Sequence, residues 1–147
     1  MDPNDLTTEE NKKLADEKLT AYCSDTIISE PPSHADCISG LFDSFTHTGF
    51  GKSRETHLEK LQNDFPNIDE NELKDLIVYF KQVTDYCDSV CSAYASKYPY
   101  PLVGSGNTQE ERKDIGRVVK ACRQKYPWLK QEYIEMHLKG VVAMCIR

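Results

Sequence analysis

The chain has 147 residues, 29% charged and 39% hydrophobic, with a formal net charge of -6 and a sequence pI near 5.2. A domain of this size buries roughly 70% of the surface of its unfolded chain, so one domain spanning residues 1–147 is expected. The acidic balance repels nucleic-acid phosphates and anionic membrane surfaces, and no apolar run approaches the roughly 18 residues of a membrane span. The expected partner is therefore another protein, one with a basic surface, rather than nucleic acid or a bilayer.

Capping and breaking residues divide the chain into six predicted helices, and no β-branched alternation predicts a strand. The first helix runs from about Glu9 to Tyr22, opened by Thr7 with Glu10 three residues on, a reciprocal cap. "TIISE" at residues 26–30 is too short to pair as a strand, and Pro31-Pro32 blocks helix continuation. Ser33 is the expected cap of a second helix reaching about Thr46, with Asp43 and His47 spaced for a pairing at its end. A third runs from Ser53 to Asp64.

The fourth predicted helix is the longest. It opens at Asp69 with Glu72 three residues on and reaches about Tyr98. Leu73, Leu76, Ile77, Phe80, Val83 and Cys87 begin a three-four apolar stripe that continues through Val90, Cys91 and Tyr94. Thr108 with Glu111 caps a fifth helix, and Pro127 is the expected start of a sixth that buries Leu129, Ile134 and Leu138. The fold class that follows is all-α, a single-domain bundle of about six helices around a long central helix.

Six cysteines carry most of the chemistry in the sequence, and their even number favours an oxidising compartment. Cys87 and Cys91 lie in register with the apolar stripe. The spacing is wrong for a thioredoxin-type pair, and no second compact Cys/His pair completes a zinc site, so no metal or cofactor is expected. Disulfides are the preferred expectation. If the fourth and fifth helices are antiparallel, Cys87 and Cys122 lie about 16 and 21 Å from the intervening turn, at matching levels. Cys91 with Cys145, and Cys23 with Cys37 across the Pro-Pro loop, complete the expected set.

"HTGFGKSRETH" at residues 47–57 ends like a phosphate-binding loop but lacks its first glycine and a preceding strand. What remains is a candidate anion site at a helix start, with Lys52, Ser53, Arg54 and His57. "NIDENE" at residues 67–72 fails as a calcium loop, because Glu72 stands where glycine is required. His34 precedes Cys37 by three residues, a Cys-His pairing without a third orienting group.

No convergent catalytic set emerges, and the protein is expected not to be an enzyme. The leading function is a small acidic effector, ligand or inhibitor acting through a protein-protein interface, with Asp69, Glu70, Tyr98 and Tyr100 as candidate contacts. One alternative is a secreted carrier of a small apolar ligand in a helical cavity. Six cysteines with one Cys-x3-Cys resemble the insect odorant-binding pattern, although two cysteines precede the pair here and no closely spaced final pair follows it. A second alternative is an intracellular inhibitor or immunity-type protein. The N-terminal MDPNDLTTEENKK has neither a basic nor an apolar leader region. The expected location is extracellular, as a mature chain after signal removal, with the cytoplasm as the alternative.

Overall fold

A computed structural model describes residues 8–47, 53–97 and 108–145. These residues form six α-helices and one short 3-10 turn, with no strand among them. In order they are α1 (Thr8–Ser24), the 3-10 turn (Ala35–Cys37), α2 (Ile38–His47), α3 (Arg54–Asp64), α4 (Glu70–Lys97), α5 (Gln109–Lys125) and α6 (Gln131–Cys145). The all-α class and the long fourth helix stand as expected. The chain divides into two compact units, Met1–Ile28 with Tyr86–Arg147 as unit one and Ser29–Asp85 as unit two. α4 supplies its first turns to unit two and its last turns to unit one.

The helix starts follow local hydrogen-bond chemistry. The Ser53 hydroxyl accepts from the Thr56 amide at 3.2 Å, and Thr108 accepts from the Glu111 amide at 3.0 Å. Asp69 accepts from the Asn71 amide at 3.1 Å. Each satisfies a first-turn donor that has no partner within its helix.

Two expected starts are displaced. The Ser33 hydroxyl is buried without a hydrogen bond, and His34 instead precedes the 3-10 turn in the left-handed region, at φ 54° and ψ 41°. Its carbonyl accepts from the Cys37 amide at 3.1 Å, so the chain leaves Pro31-Pro32 through a tight turn before α2 begins. Pro127 lies in a turn between Tyr126 and Lys130, and α6 starts four residues later than expected. Thr7, the expected cap of α1, is outside the described residues.

Unit two has an aromatic interior. Phe80 on α4 meets Phe42 and Phe45 on α2 at ring-centroid distances of 5.3 and 5.4 Å, beside the fully buried Leu61, Leu73 and Leu76. Burying one such aromatic side chain contributes on the order of 3 kcal/mol. Unit one buries Leu19, Val90, Tyr94, Val118, Leu129 and Ile134 together with thiols and charges.

Candidate functional site

Unit one holds the densest chemistry, beginning with two cysteines on one face of α4. Cys87, Cys91 and Cys122 are fully buried, the first two on α4 and the third on α5. Interaction with Cys122, then burial, pushes the Cys87 pKa far up, while burial and Cys122 raise that of Cys91. A thiol held protonated is a poor nucleophile and a poor metal ligand at neutral pH. Among the described residues no three His, Cys, Asp or Glu side chains are placed to hold a metal ion. The Tyr133 hydroxyl lies 3.5 Å from His137 Nδ1, and His137 Nε2 lies 3.4 Å from the Asp88 carboxylate. Burial lowers the His137 pKa even though Asp88 pulls it upward.

The second cluster is ionic. Lys97, at the end of α4, reaches Asp114 at 2.7 Å, Asp16 at 3.1 Å and Glu110 at 3.4 Å. Arg117 donates to Asp16 at 2.7 Å, to Asp114 at 3.0 Å and to Thr20 at 2.6 Å. Burial by itself would lower the Lys97 and Arg117 pKa values, but hydrogen bonds to Asp16 and Asp114 outweigh it and both are raised. Hydrogen bonds from Arg117 and then Lys97 hold Asp16 below the usual carboxylate range. The network joins α1, α4 and α5, and its pairing compensates for burying Asp114.

The expected disulfides are corrected in part. The five cysteines whose side chains are described, Cys23, Cys37, Cys87, Cys91 and Cys122, are all free. Cys23 donates to the Arg117 carbonyl at 3.4 Å within unit one. Cys37 donates to the His34 carbonyl at 3.6 Å within unit two. Both thiols of the expected Cys23–Cys37 bridge are therefore engaged elsewhere. Cys87 and Cys122 are neighbours, as the helix levels imply, but as thiols. The Cys145 side chain, needed for a bond to Cys91, is outside the described side chains.

The anion site does not assemble as expected. Lys52 is outside the described residues, and Ser53 and Arg54 are exposed. His57 turns inward, 3% exposed, and stacks on Phe45 at 4.2 Å. Its Nδ1 is buried without a hydrogen bond. Burial, followed by the charge of Lys81, lowers its pKa. One apolar ring neighbour thus places this histidine in the core.

Of the candidate partner contacts, Asp69 and Glu70 are exposed at the start of α4, whereas Tyr98 and Tyr100 are outside the described residues. Glu72 leaves the expected cap and pairs with the His34 ring. Cys37 meets the His34 carbonyl, not the ring, and burial raises its pKa, so the His34–Cys37 spacing forms no nucleophile-base pair. His47 bonds the Asp43 carbonyl at 2.8 Å and not its carboxylate.

Sequence reasoning missed an exposed apolar pair. Ile27 and Ile28 are 74% and 56% exposed in a stretch with no regular structure. Asp25 fixes the start of that stretch, accepting from the Ile27 amide at 3.0 Å and from Lys125 at 3.2 Å. In unit two the Tyr79 hydroxyl donates to the Ser29 carbonyl at 3.0 Å. The available signal was an Ile-Ile pair in a segment too short for a strand and followed by two prolines. A shallow groove of about 580 Å³ also runs between α1 and α4 in unit one, lined by Lys18, Tyr22, Asp88 and the serines 89, 92 and 96.

No protein-family profile matches the chain, and no solved structure matches it. Among curated proteins, it is similar to the mannonate dehydratase of Lactococcus lactis subsp. cremoris (strain MG1363), 24% identical over 115 residues. The match covers 75% of this chain and 32% of that protein, so the chain spans about a third of that relative's length. No helix among the described residues is long and apolar enough to cross a membrane.

Proposed function

We propose that the protein is a non-enzymatic helical module that acts by docking onto another protein. The observation that carries this reading is the Ile27–Ile28 pair, more than half exposed on a stretch held at its start by Asp25, which accepts from the Ile27 amide and from Lys125. Isolated exposed hydrophobics are ordinary, but two adjacent isoleucines on tethered backbone form a preorganised apolar contact. Asp25 and Glu30 flank the pair, and the chain carries a net charge of -6. The complementary partner has an apolar pocket rimmed by basic side chains, a pairing that also speeds encounter. Secretion belongs to the same proposal.

The test is retention of a partner on the immobilised chain at low and high salt. Ile27→Asp/Ile28→Asp is expected to lose the partner at least tenfold while the thermal unfolding midpoint stays within about 2 °C, since neither side chain is in a core. Retention by the double variant refutes the assignment of the surface.

The apolar-carrier alternative draws less support. The stripe of α4 from Leu73 to Tyr94 is spent on packing, and the α1/α4 groove is rich in serine with Lys18 and Asp88 at its walls. The likeness to mannonate dehydratase favours an enzymatic reading instead. Incubating the pure chain with mannonate and following loss of substrate separates the two, and the docking proposal predicts no turnover.

A further inference from the structure

We propose that α3 is an acid-released latch on α2, opened from its N-terminal end when the His57 ring becomes charged. The helix has few anchors. Of its 11 residues, the buried ones are His57 and Leu61. An element held by so little buried surface opens at low cost, and one of its two anchors is titratable.

The His57 ring is 3% exposed and stacks on Phe45 of α2, with centroids 4.2 Å apart and 25° between the planes. Phe45 in turn meets Phe42 and Phe80, so the histidine closes one side of an aromatic interior. Its Nδ1 is buried with no hydrogen-bond partner. In the charged ring both nitrogens are donors, and a buried donor without an acceptor on a buried cation is a costly state. The charge acting on the ring is Lys81 of α4, which opposes a second cation, and the Phe45 backbone favours the charged form by less than burial and Lys81 oppose it. Elsewhere on α2, His47 bonds the Asp43 carbonyl at 2.8 Å. On α3 itself, Arg54, Glu55 and Glu59 are exposed.

The far end of α3 is tied by other means. Ser44 of α2 donates to Asp64 at 2.6 Å, and Lys60 pairs with the same carboxylate at 2.8 Å. Lys60, then Ser44, hold Asp64 below the usual carboxylate range, so this tie persists at a pH that charges His57. Opening therefore starts at the histidine and pivots at Asp64. Once open, the ring meets water and returns to its ordinary 6.5, so proton uptake favours the open helix increasingly as pH falls below that value. Release bares the Phe45 face of α2, an apolar surface gated by acid. The latch does not depend on the Ile27–Ile28 surface.

The experiment is hydrogen exchange of the full chain at pH 7.5 and 5.0, corrected for the intrinsic pH dependence of exchange, with NMR titration of the His57 ring. Protection of the amides from His57 to Leu61 is expected to fall about fivefold at the lower pH, with that of α5 changing less. His57→Phe keeps an aromatic ring against Phe45 and cannot be charged, so it is expected to abolish the loss in α3. It should leave any response of α6, where His137 titrates, as it is. If that variant fails to fold, His57→Leu serves in its place, and if both fail, the ring titration of the unmodified chain decides by coinciding with the loss in α3. Unchanged protection of α3, the same loss in the uncharged variant, an equal loss in α5, or a His57 ring that titrates at or above 6.5 overturns the proposal.

Discussion

Between Leu73 and Val83, α4 buries aliphatic and aromatic side chains that pack in unit two; between Cys87 and Lys97 it buries two thiols, a tyrosine and an ammonium group in unit one alongside Val90, Ala93 and Ala95. The helix is continuous, yet its two halves are stabilised by different physics. Hydrophobic burial is non-directional and tolerates small shifts, whereas the charges around Lys97 are stable only while Asp16, Asp114 and Arg117 stay within about 3 Å of their partners. Unit two is therefore expected to be sensitive to lost volume, and unit one to lost pairing.

The largest expected effect is in the aromatic interior. Phe80→Ala removes the ring that meets both Phe42 and Phe45, and denaturant unfolding should show a loss of about 3–5 kcal/mol. A loss below about 1 kcal/mol would mean that unit two is not packed as described. Next, Lys97→Met strips a cation from the buried Asp114 and is expected to cost about 3 kcal/mol by the same measurement. Adding Asp114→Asn should cost less than it does in the wild-type chain, because the Lys97–Asp114 pair is already lost while the bond to Arg117 remains. A double variant as weak as the sum of the singles would break the comparison between the units.

Acidification distinguishes them less sharply, since each unit holds one histidine whose folded pKa is lowered. Burial lowers the folded pKa of both from the ordinary 6.5, for His57 in unit two together with the charge of Lys81 and for His137 in unit one in spite of Asp88. As pH falls through 6.5 the unfolded chain takes up protons that the folded chain resists. Stability is thus full above that value and declines below it. Asp16, lowered by its bonds to Arg117 and Lys97, adds a further loss in unit one as pH drops through the carboxylate range below 3.8. Urea titrations at a series of pH values check both steps, and a stability that rises on acidification to pH 5 contradicts the placement of the histidines.

The smallest effects concern helix starts. Ser53→Ala in unit two and Thr108→Ala in unit one should each cost about 1 kcal/mol through the lost cap. Ser33→Ala should cost nothing measurable by comparison, since its hydroxyl has no hydrogen bond to lose. A larger loss at Ser33 than at Ser53 would show that the second helix begins where the sequence places it.

The apolar half of α4 was readable in the sequence because the stripe from Leu73 to Tyr94 keeps one helical phase, and every expected position is buried. Caps at Ser53, Asp69 and Thr108 were readable because capping is local. The ionic cluster was not, because Asp16 meets Lys97 and Arg117 at separations of 81 and 101 residues, and no short motif encodes such a meeting. His57 misled for a related reason. Beside Lys52 and Arg54 it looks like part of a basic helix start, yet its helical phase turns it towards Phe45. The nearness of Cys87 and Cys122 lay between these cases, accessible from helix lengths and an assumed antiparallel turn. Of the candidate contacts, Asp69 and Glu70 are exposed as a surface role requires. Ile27 and Ile28 escaped notice, since exposure is a property of tertiary structure.

The most direct test of the long helix that turns its thiols inward is residue-resolved alkylation of the native, reduced protein at neutral pH. The structure predicts that Cys23 and Cys37, both partly exposed, label well before Cys87, Cys91 and Cys122, which are fully buried. Labelling of Cys87 or Cys91 as fast as Cys23 would contradict it.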